Sequence, residues 1–87
     1  MIERRVQVNS LFEPGEAALL VQTASKFNSR ISLMHAEKTA NAKSIMGIIS
    51  LDIKGGQTVK IVADGEDEQC ALPVLEEFLA TATAKSA

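Results

Sequence analysis

The chain has 87 residues, enough for one modest hydrophobic core, so a single domain over residues 1–87 is expected. A hydrophobic content of 46% argues against disorder, and a net charge of −2 with scattered basic residues argues against direct nucleic acid binding. The chain has no run of about 18 apolar residues and no signal peptide, so we expect a cytoplasmic protein outside the membrane. One Cys and one His exclude an internal disulfide and provide no metal-ligand cluster, so no cofactor is expected.

The first two predicted elements are a strand and a helix. Residues 2–8 alternate as a strand does, and one side carries Ile2, Arg4, Val6 and Val8, among which Arg4 is an imperfect fit to a buried face. After the breaker-rich residues 9–15, apolar side chains recur at helical spacing at Ala17, Leu20, Val21, Ala24 and Phe27. Pro14 suits the first helical position because its missing N–H would lack a partner there, and Asn28-Ser29 is expected to close the helix.

Two strands and a short helix are predicted in the middle of the chain. Ile31 and Leu33 alternate with their neighbours in the second strand, and residues 38–41 form the third. The connection over residues 35–37 has neither Gly nor Asn, so we expect it to be longer or more distorted than a tight hairpin. A short helix then runs from Ser44 to near residue 52.

A fourth strand and a last helix complete the pattern. The strand covers residues 58–63 and presents Val59, Ile61 and Ala63 on one face. Residues 66–68 place negative charge where the last helix begins, at the positive end of its dipole. Pro73 lies inside this helix, where a proline costs about 3 kcal/mol, so we predict a bend or a late helix start.

The predicted order is strand, helix, strand, strand, helix, strand, helix. Strands in which polar and apolar residues alternate require one solvated face and one covered face. Three helices on one side of a four-stranded antiparallel sheet meet this requirement, so the predicted fold class is α+β.

Three segments of the chain resemble the HPr family, the small phosphocarriers of the bacterial sugar phosphotransferase system. Residues 20–27, LVQTASKF, resemble the family's first helix, and residues 41–47, NAKSIMG, resemble its second helix with the regulatory serine. Residues 64–69, DGEDEQ, with Ala71 and Leu72, resemble the start of its third helix. The similarity runs without gaps from residue 2 to about residue 80 and implies the family's open-faced β-sandwich.

The segment aligned with the family's active-site loop departs from it. Where the family has GIHARPA, residues 11–17 read LFEPGEA, which puts Glu13 on the phosphorylated histidine, Gly15 on the arginine and Glu16 on the proline. Imidazole is the nucleophile of phosphoryl transfer and the arginine stabilises the transferring charge. We therefore expect no catalytic residue and no enzyme activity. The resemblance also implies that Glu13, Gly15 and Ala18 lie on the surface that protein partners contact.

Several interpretations of Glu13 stay open. It is a neutral replacement for a dispensable histidine, a carboxylate that mimics phosphohistidine, or an acceptor of phosphate as an acyl phosphate. A catalytic carboxylate pair of Glu13 and Glu16 is a further alternative, but a solvated position on the first helical turn favours a polar edge.

Ser44 precedes four large apolar residues within five positions. A helix this short cannot bury all four, so one or two are expected at the surface beside the serine hydroxyl. Ser44 is either a helix cap alone or also a phosphorylation site, and both fit a helix N-terminus. The resemblance implies HPr kinase/phosphorylase as the modifying enzyme. Lys43 either helps to hold the phosphate or is a solvated lysine.

The apolar residues after Ser44 are either core or contact residues. The resemblance implies a partly exposed patch used by several partners, and methionine adapts to surfaces of different shape. We expect Ile48 and Leu51 to be core, and the partner contacts of this segment to be Lys43, Ile45, Met46 and Ile49. Cys70, without a basic companion, and His35, at a hairpin end, are expected to be incidental.

Three functions are compatible with these observations. The first is a non-catalytic regulator of carbon catabolite control, switched by phosphorylation of Ser44 and docking on a LacI-type transcriptional regulator or a metabolic enzyme. The second is an unusual carrier of the phosphoenolpyruvate-dependent phosphotransferase system. The third is an HPr-like binding module in another pathway. A partner that recognises the family's loop arginine would bind this chain less well, because Gly15 replaces it.

Overall fold

The computed structural model describes residues 1–9 and 15–80. Its seven elements follow the predicted order, so the α+β fold class is confirmed. The strands are β1 (Ile2–Gln7), β2 (Arg30–His35), β3 (Lys38–Asn41) and β4 (Thr58–Asp64). The helices are α1 (Glu16–Ala24), α2 (Ile45–Leu51) and α3 (Glu68–Ala80).

The four strands form one antiparallel sheet in the order β1-β4-β2-β3. Burial alternates along the two central strands, with Ile31 and Leu33 buried in β2 and Val59, Ile61 and Ala63 buried in β4. In β1 only Val6 is buried, and β3 has no buried residue. Helix α3 packs on β1 and β4, and α2 packs on β3, while α1 lies against both of these helices. The core therefore lies between the helices and one face of the sheet, and the other face is open to solvent.

The first helix is shorter than its apolar pattern predicts. It ends at Ala24 with Ser25 as its C-cap, and the amides of Lys26 and Phe27 then bond to carbonyls three residues back. The chain tightens here because Ser29 must be buried beside α3 before β2 begins. The predicted end at Asn28-Ser29 is therefore wrong.

The connection between β2 and β3 is a tight turn, contrary to prediction. His35 pairs with Lys38, so only Ala36 and Glu37 form the turn, and Ala36 takes a φ of 58°. The pairing of β2 with β3, and of β3 with α2, enforces this geometry although no glycine is present. The strain is carried by Ala36.

Pro73 does not delay the last helix. Helix α3 begins at Glu68, ahead of the proline, and continues to Ala80, so a late start is wrong. Pro73 lies on the exposed side of α3. A bend at Pro73 stays a prediction.

The described part of the chain has neither a membrane-spanning helix nor a group of metal ligands. Among residues 1–9 and 15–80, no helix is long and apolar enough to cross a bilayer. Within the same ranges, no three His, Cys, Asp or Glu side chains are grouped so that they could hold a metal ion.

Candidate functional site

Ser44 is the N-cap of α2. Its backbone is extended, with φ −113° and ψ 114°, and its Oγ accepts a hydrogen bond from the Gly47 amide at 3.2 Å. A Cβ at Gly47 would lie 3.3 Å from the Ala40 Cβ and 3.4 Å from the Ser44 Oγ. The missing side chain therefore lets α2 approach both β3 and its own cap. Ser44 as a residue is half-buried, so it lies at the border between the core and the surface.

The apolar residues of α2 divide between core and surface. Ile48 and Leu51 are 2% and 3% exposed and pack into the core, as predicted. Ile45, Met46 and Ile49 are 38%, 70% and 56% exposed, and we refer to these three residues as the α2 patch. Residues three apart share one face of a helix, so Ile48 and Leu51 face inward together and Met46 and Ile49 face outward together. Ile45 lies three residues before Ile48, at the border of the inward face, and is the least exposed of the patch. Three of the four apolar residues after Ser44 are thus exposed, one more than the one or two predicted.

The side chain of Lys43 is bonded within the protein. Its Nζ donates to the Phe27 carbonyl at 2.7 Å in a partly buried position, and its amide donates to the Asn41 side chain at 2.8 Å. Lys43 thus ties the segment after α1 to the start of α2. Of the two alternatives for Lys43, the solvated lysine is wrong, because its ammonium uses at least one donor within the fold. The alternative that it helps to hold a phosphate stays a prediction.

A shallow polar groove of about 500 Å³ adjoins Lys43. Its walls are Asn28, Ser29, Arg30, Asn41, Lys43 and Asp64. Two of these side chains are cations and one is a carboxylate, so the groove has no strong overall charge.

Helix α1 presents a second surface beside α2, against which it packs. Gly15 stands at its N-cap with a φ of −63°, and a Cβ built there meets no atom within 4 Å among the described residues beyond its chain neighbours. Ala18 is exposed, and Leu19 is just over one third exposed. Glu13 lies outside the described residues.

Glu16 differs from its prediction. It is 5% exposed, whereas a solvated polar edge was expected. Glu16 and Leu20 are four residues apart on α1, and they share the face that turns to the core. The prediction that Glu16 is solvated is therefore wrong.

His35 has a contact that the sequence did not reveal. Its Nδ1 lies 3.1 Å from the Leu51 carbonyl oxygen at the last turn of α2. The carbonyls at a helix C-terminus lack partners within the helix, and a ring N–H can supply one. No local signal predicts this contact, because it depends on β2 ending beneath α2. Cys70 is an exposed free thiol on α3.

Comparison with protein families gives one match that covers most of the chain. Residues 15–81 match the family model described as "PTS HPr component phosphorylation site". The match begins at Gly15, so it does not include Glu13. Similar curated proteins are the HPr-like protein Crh of Halalkalibacterium halodurans and of Bacillus subtilis. Each is 41% identical over 81 residues, which cover 91% of this chain and 96% or 95% of the relative.

Solved structures of similar proteins have the same fold. The phosphocarrier protein HPr of Bacillus anthracis is 42% identical, with a TM-score of 0.83 over 90% of this chain and 95% of its own. The Crh protein of Bacillus subtilis, described as a catabolite repression protein that forms a swapped dimer, is 40% identical. Its TM-score is 0.73 over 91% of this chain and 88% of its own.

Proposed function

Because this chain belongs to the HPr family, we propose that it is a single-domain, non-catalytic regulator of carbon catabolite control. Its switch is phosphorylation of Ser44, carried out by HPr kinase/phosphorylase. Its output is a change in which protein docks on the α2 patch. The similar Crh protein of Bacillus subtilis is a catabolite repression protein, which supports this proposal.

The observation that carries the proposal is the position of Ser44 next to the α2 patch. The hydroxyl of the half-buried Ser44 caps a helix whose following residues include Met46, at 70% exposed, and Ile49, at 56%. Exposed apolar groups of this kind mark interaction surfaces. A phosphoryl group would add a charge of about −1.5 to −2 at the edge of the patch, where the helix N-terminus favours an anion.

The added charge selects partners through the groups that they present. A partner of the phosphorylated form needs an apolar pocket for Met46 and a cation facing Ser44. The partner's cation adds to that of Lys43, whose ammonium keeps its positive charge while one of its donors is bonded to the Phe27 carbonyl. A LacI-type regulator or a metabolic enzyme with a basic rim around an apolar pocket fits this description.

Glu13 supports a role other than phosphate carriage. The position aligned with the family's histidine holds a carboxylate, whose negative charge repels an incoming phosphoryl donor. Phosphate on a carboxylate would be an acyl phosphate, whereas the carrier reaction proceeds through phosphohistidine. Gly15 replaces the arginine that would stabilise the transferring charge. At the aligned positions the chain therefore has neither the imidazole nor the guanidinium on which the carrier reaction depends.

The switch is tested by incubation with HPr kinase/phosphorylase and ATP, followed by intact mass measurement. We expect one phosphoryl group on the wild type and on Ser50→Ala, and none on Ser44→Asn. Ser50 is the matched control because it lies on the same helix and its Oγ donates to the Met46 carbonyl. Asn is as effective a helix cap as Ser, so a loss of phosphorylation in Ser44→Asn does not arise from a lost cap. An unmodified wild type, or modification that persists in Ser44→Asn, would refute the switch.

The alternative carrier function is tested with phosphoenolpyruvate and the first enzyme of the phosphotransferase system. We expect no acid-labile phosphate on the wild type. Labile phosphate that passes on to a sugar permease component would overturn the non-catalytic assignment.

The docking surface is tested with the phosphorylated protein and a purified LacI-type catabolite regulator, by calorimetry. Met46→Ser and Ile49→Ser should each weaken binding about tenfold, as expected for exposed anchors that insert into a pocket. Val74→Ser is the matched control, since Val74 is an exposed apolar residue of α3, at 44%, outside the patch. Equal losses in all three variants would speak against the α2 patch.

A further inference from the structure

Two cations lie side by side on the open face of the sheet. Arg5 of β1 and Lys60 of β4 are direct partners in the antiparallel register. Their chain neighbours Val6, Val59 and Ile61 are buried on the helix side, so Arg5 and Lys60 lie on the opposite face. Like charges in directly opposed positions destabilise a sheet. The fold therefore carries an unfavourable pair at this point.

Among the described residues, one carboxylate forms an ion pair with one of these two cations. The Lys60 Nζ lies 3.3 Å from the Glu3 Oε1, in an ion pair across the two strands. The Arg5 side chain is exposed and forms no hydrogen bond or ion pair with any residue of the described ranges 1–9 and 15–80. Its guanidinium thus keeps its donors available for a group from outside the chain.

The two cations line a groove that also has an apolar side. The groove has a volume of about 360 Å³ and is lined by Arg5, Met34, Ala36, Thr58, Val59 and Lys60. Met34 is half-buried and is the register partner of Lys60 on β2. No Asp or Glu is among these lining residues of the described part. The groove thus has two cations, Arg5 and Lys60, at one end and the apolar side chain of Met34 at the other.

We infer that this open-face groove is a second docking surface, which binds an acidic segment of a protein partner. A partner carboxylate binds Arg5, whose planar guanidinium accommodates a carboxylate with two parallel hydrogen bonds, and Lys60 reinforces it. An apolar side chain beside that carboxylate packs on Met34, whose thioether adapts to different shapes.

Charge complementarity favours this occupant over nucleic acid. Two adjacent cations match one or two carboxylates, whereas nucleic acid binding draws on many phosphate contacts. The net charge of the chain, −2, would also oppose a polyanion. A local rule broken without structural gain, such as the Arg5–Lys60 apposition, is expected at functional positions. The groove and the α2 patch lie on opposite sides of the sheet, so this inference is independent of the switch at Ser44.

The test is an NMR titration of the unmodified, isotope-labelled protein with an acetylated and amidated peptide, Glu-Glu-Leu-Glu-Glu-Leu. We expect saturable shifts of the amides of residues 5, 34 and 58–60. Arg5→Gln and Lys60→Gln should bind at least about fivefold more weakly, the effect of losing a charge-assisted hydrogen bond at an exposed site.

Arg30→Gln is the matched control. Arg30 is an exposed cation of β2 that alternates with buried Ile31, so it lies on the same open face but outside the open-face groove. Its variant should keep the wild-type affinity. The thermal midpoint of Arg5→Gln should be no lower than that of the wild type, because the variant removes a like-charge neighbour.

Three results would overturn the inference. They are the absence of saturable shifts, an equal loss of affinity in Arg30→Gln, and shifts centred on the α2 patch. A short single-stranded oligonucleotide that binds more tightly than the peptide, with the same dependence on Arg5 and Lys60, would overturn the partner class.

Discussion

The Asp67 carboxylate, just before α3, holds Ser29, just before β2, by both its amide and its hydroxyl. The Ser29 amide donates to Oδ1 at 2.8 Å and the hydroxyl donates to the same oxygen, while the Asn28 amide donates to Oδ2 at 2.8 Å. Ser29 is 1% exposed. The carboxylate thus satisfies polar groups at the point where the chain enters the sheet beside the last helix.

Asp67 should make stability depend on pH in the acid range. The Ser29 hydroxyl, and after it the Asn28 amide, hold the pKa of this carboxyl below its ordinary value of 3.8. A lowered folded-state pKa stabilises the protein above the unfolded-state pKa, and this contribution is lost as the pH falls through the folded-state value. We therefore expect the urea concentration at the unfolding midpoint to decrease once the pH is lowered below about 4. Circular dichroism measures the transition, since the chain has no Trp.

Two variants isolate the contribution of Asp67. Asp67→Asn should reduce the dependence of the urea midpoint on pH in the acid range. The dependence that remains is the part due to Glu68, whose pKa is lowered by the Gly65 amide and the N-terminal ammonium. Glu66→Gln, a change at the exposed neighbouring carboxylate, should keep the wild-type slope. A slope in Asp67→Asn identical to that of the wild type would contradict the assignment.

Gly65 should tolerate no side chain. A Cβ there would lie 2.7 Å from the Ser29 Cα, and the φ of 156° is strained for an L residue. Gly65→Ala is expected to lower the free energy of unfolding by more than about 1 kcal/mol in urea denaturation. Gly15→Ala is the control, because a Cβ there meets open space at a φ of −63°. If Gly65→Ala were as stable as Gly15→Ala, the close approach of Gly65 to Ser29 would be refuted.

Ala36→Gly should stabilise the β2–β3 turn. Ala36 has a φ of 58°, where an L residue carries about 1–2 kcal/mol of strain, partly offset by the greater entropy that glycine loses on folding. We expect a gain of up to about 1 kcal/mol in the free energy of unfolding. Glu37→Gly changes the other turn residue, which lacks a positive φ, and should destabilise the protein. The prediction fails if both glycine variants shift the thermal midpoint in the same direction.

The capping role of Ser44 is separable from its proposed modification. Ser44→Ala removes the acceptor of the Gly47 amide and should cost about 1 kcal/mol of stability. Ser44→Asn should stay close to the wild type, because asparagine caps equally well. Chemical denaturation of the unmodified proteins measures both values. A Ser44→Ala variant as stable as the wild type would mean that the hydroxyl contributes little as a cap.

Residue spacing predicted the elements of this fold well where burial repeats along the chain. The buried positions of β2 are the predicted Ile31 and Leu33, and those of β4 are the predicted Val59, Ile61 and Ala63. Burial of one face imposes a fixed period on strands and helices, so the chain itself records it. The end of α1 and the β2–β3 turn were predicted wrongly, since long-range pairing overrides local preference there.

The candidate site divides in the same way. The sequence predicted that Ser44 caps α2 and that Ile48 is buried. Both features depend only on residues within one helical turn of each other. The bond from Lys43 to the Phe27 carbonyl joins residues distant along the chain, and no spacing rule indicates it.

By itself, the sequence determined the order of elements, the alternating burial of β2 and β4, the exposure of apolar residues beside the capping Ser44, and the carboxylate of Glu13 in place of the family's histidine. Only the tertiary structure decided the burial of Glu16, the clamp of Asp67 on Ser29 and the apposition of Arg5 with Lys60. Periodic burial is written into neighbouring residues. Contacts between distant residues instead depend on how strands align and helices dock, and the whole core determines that arrangement at once.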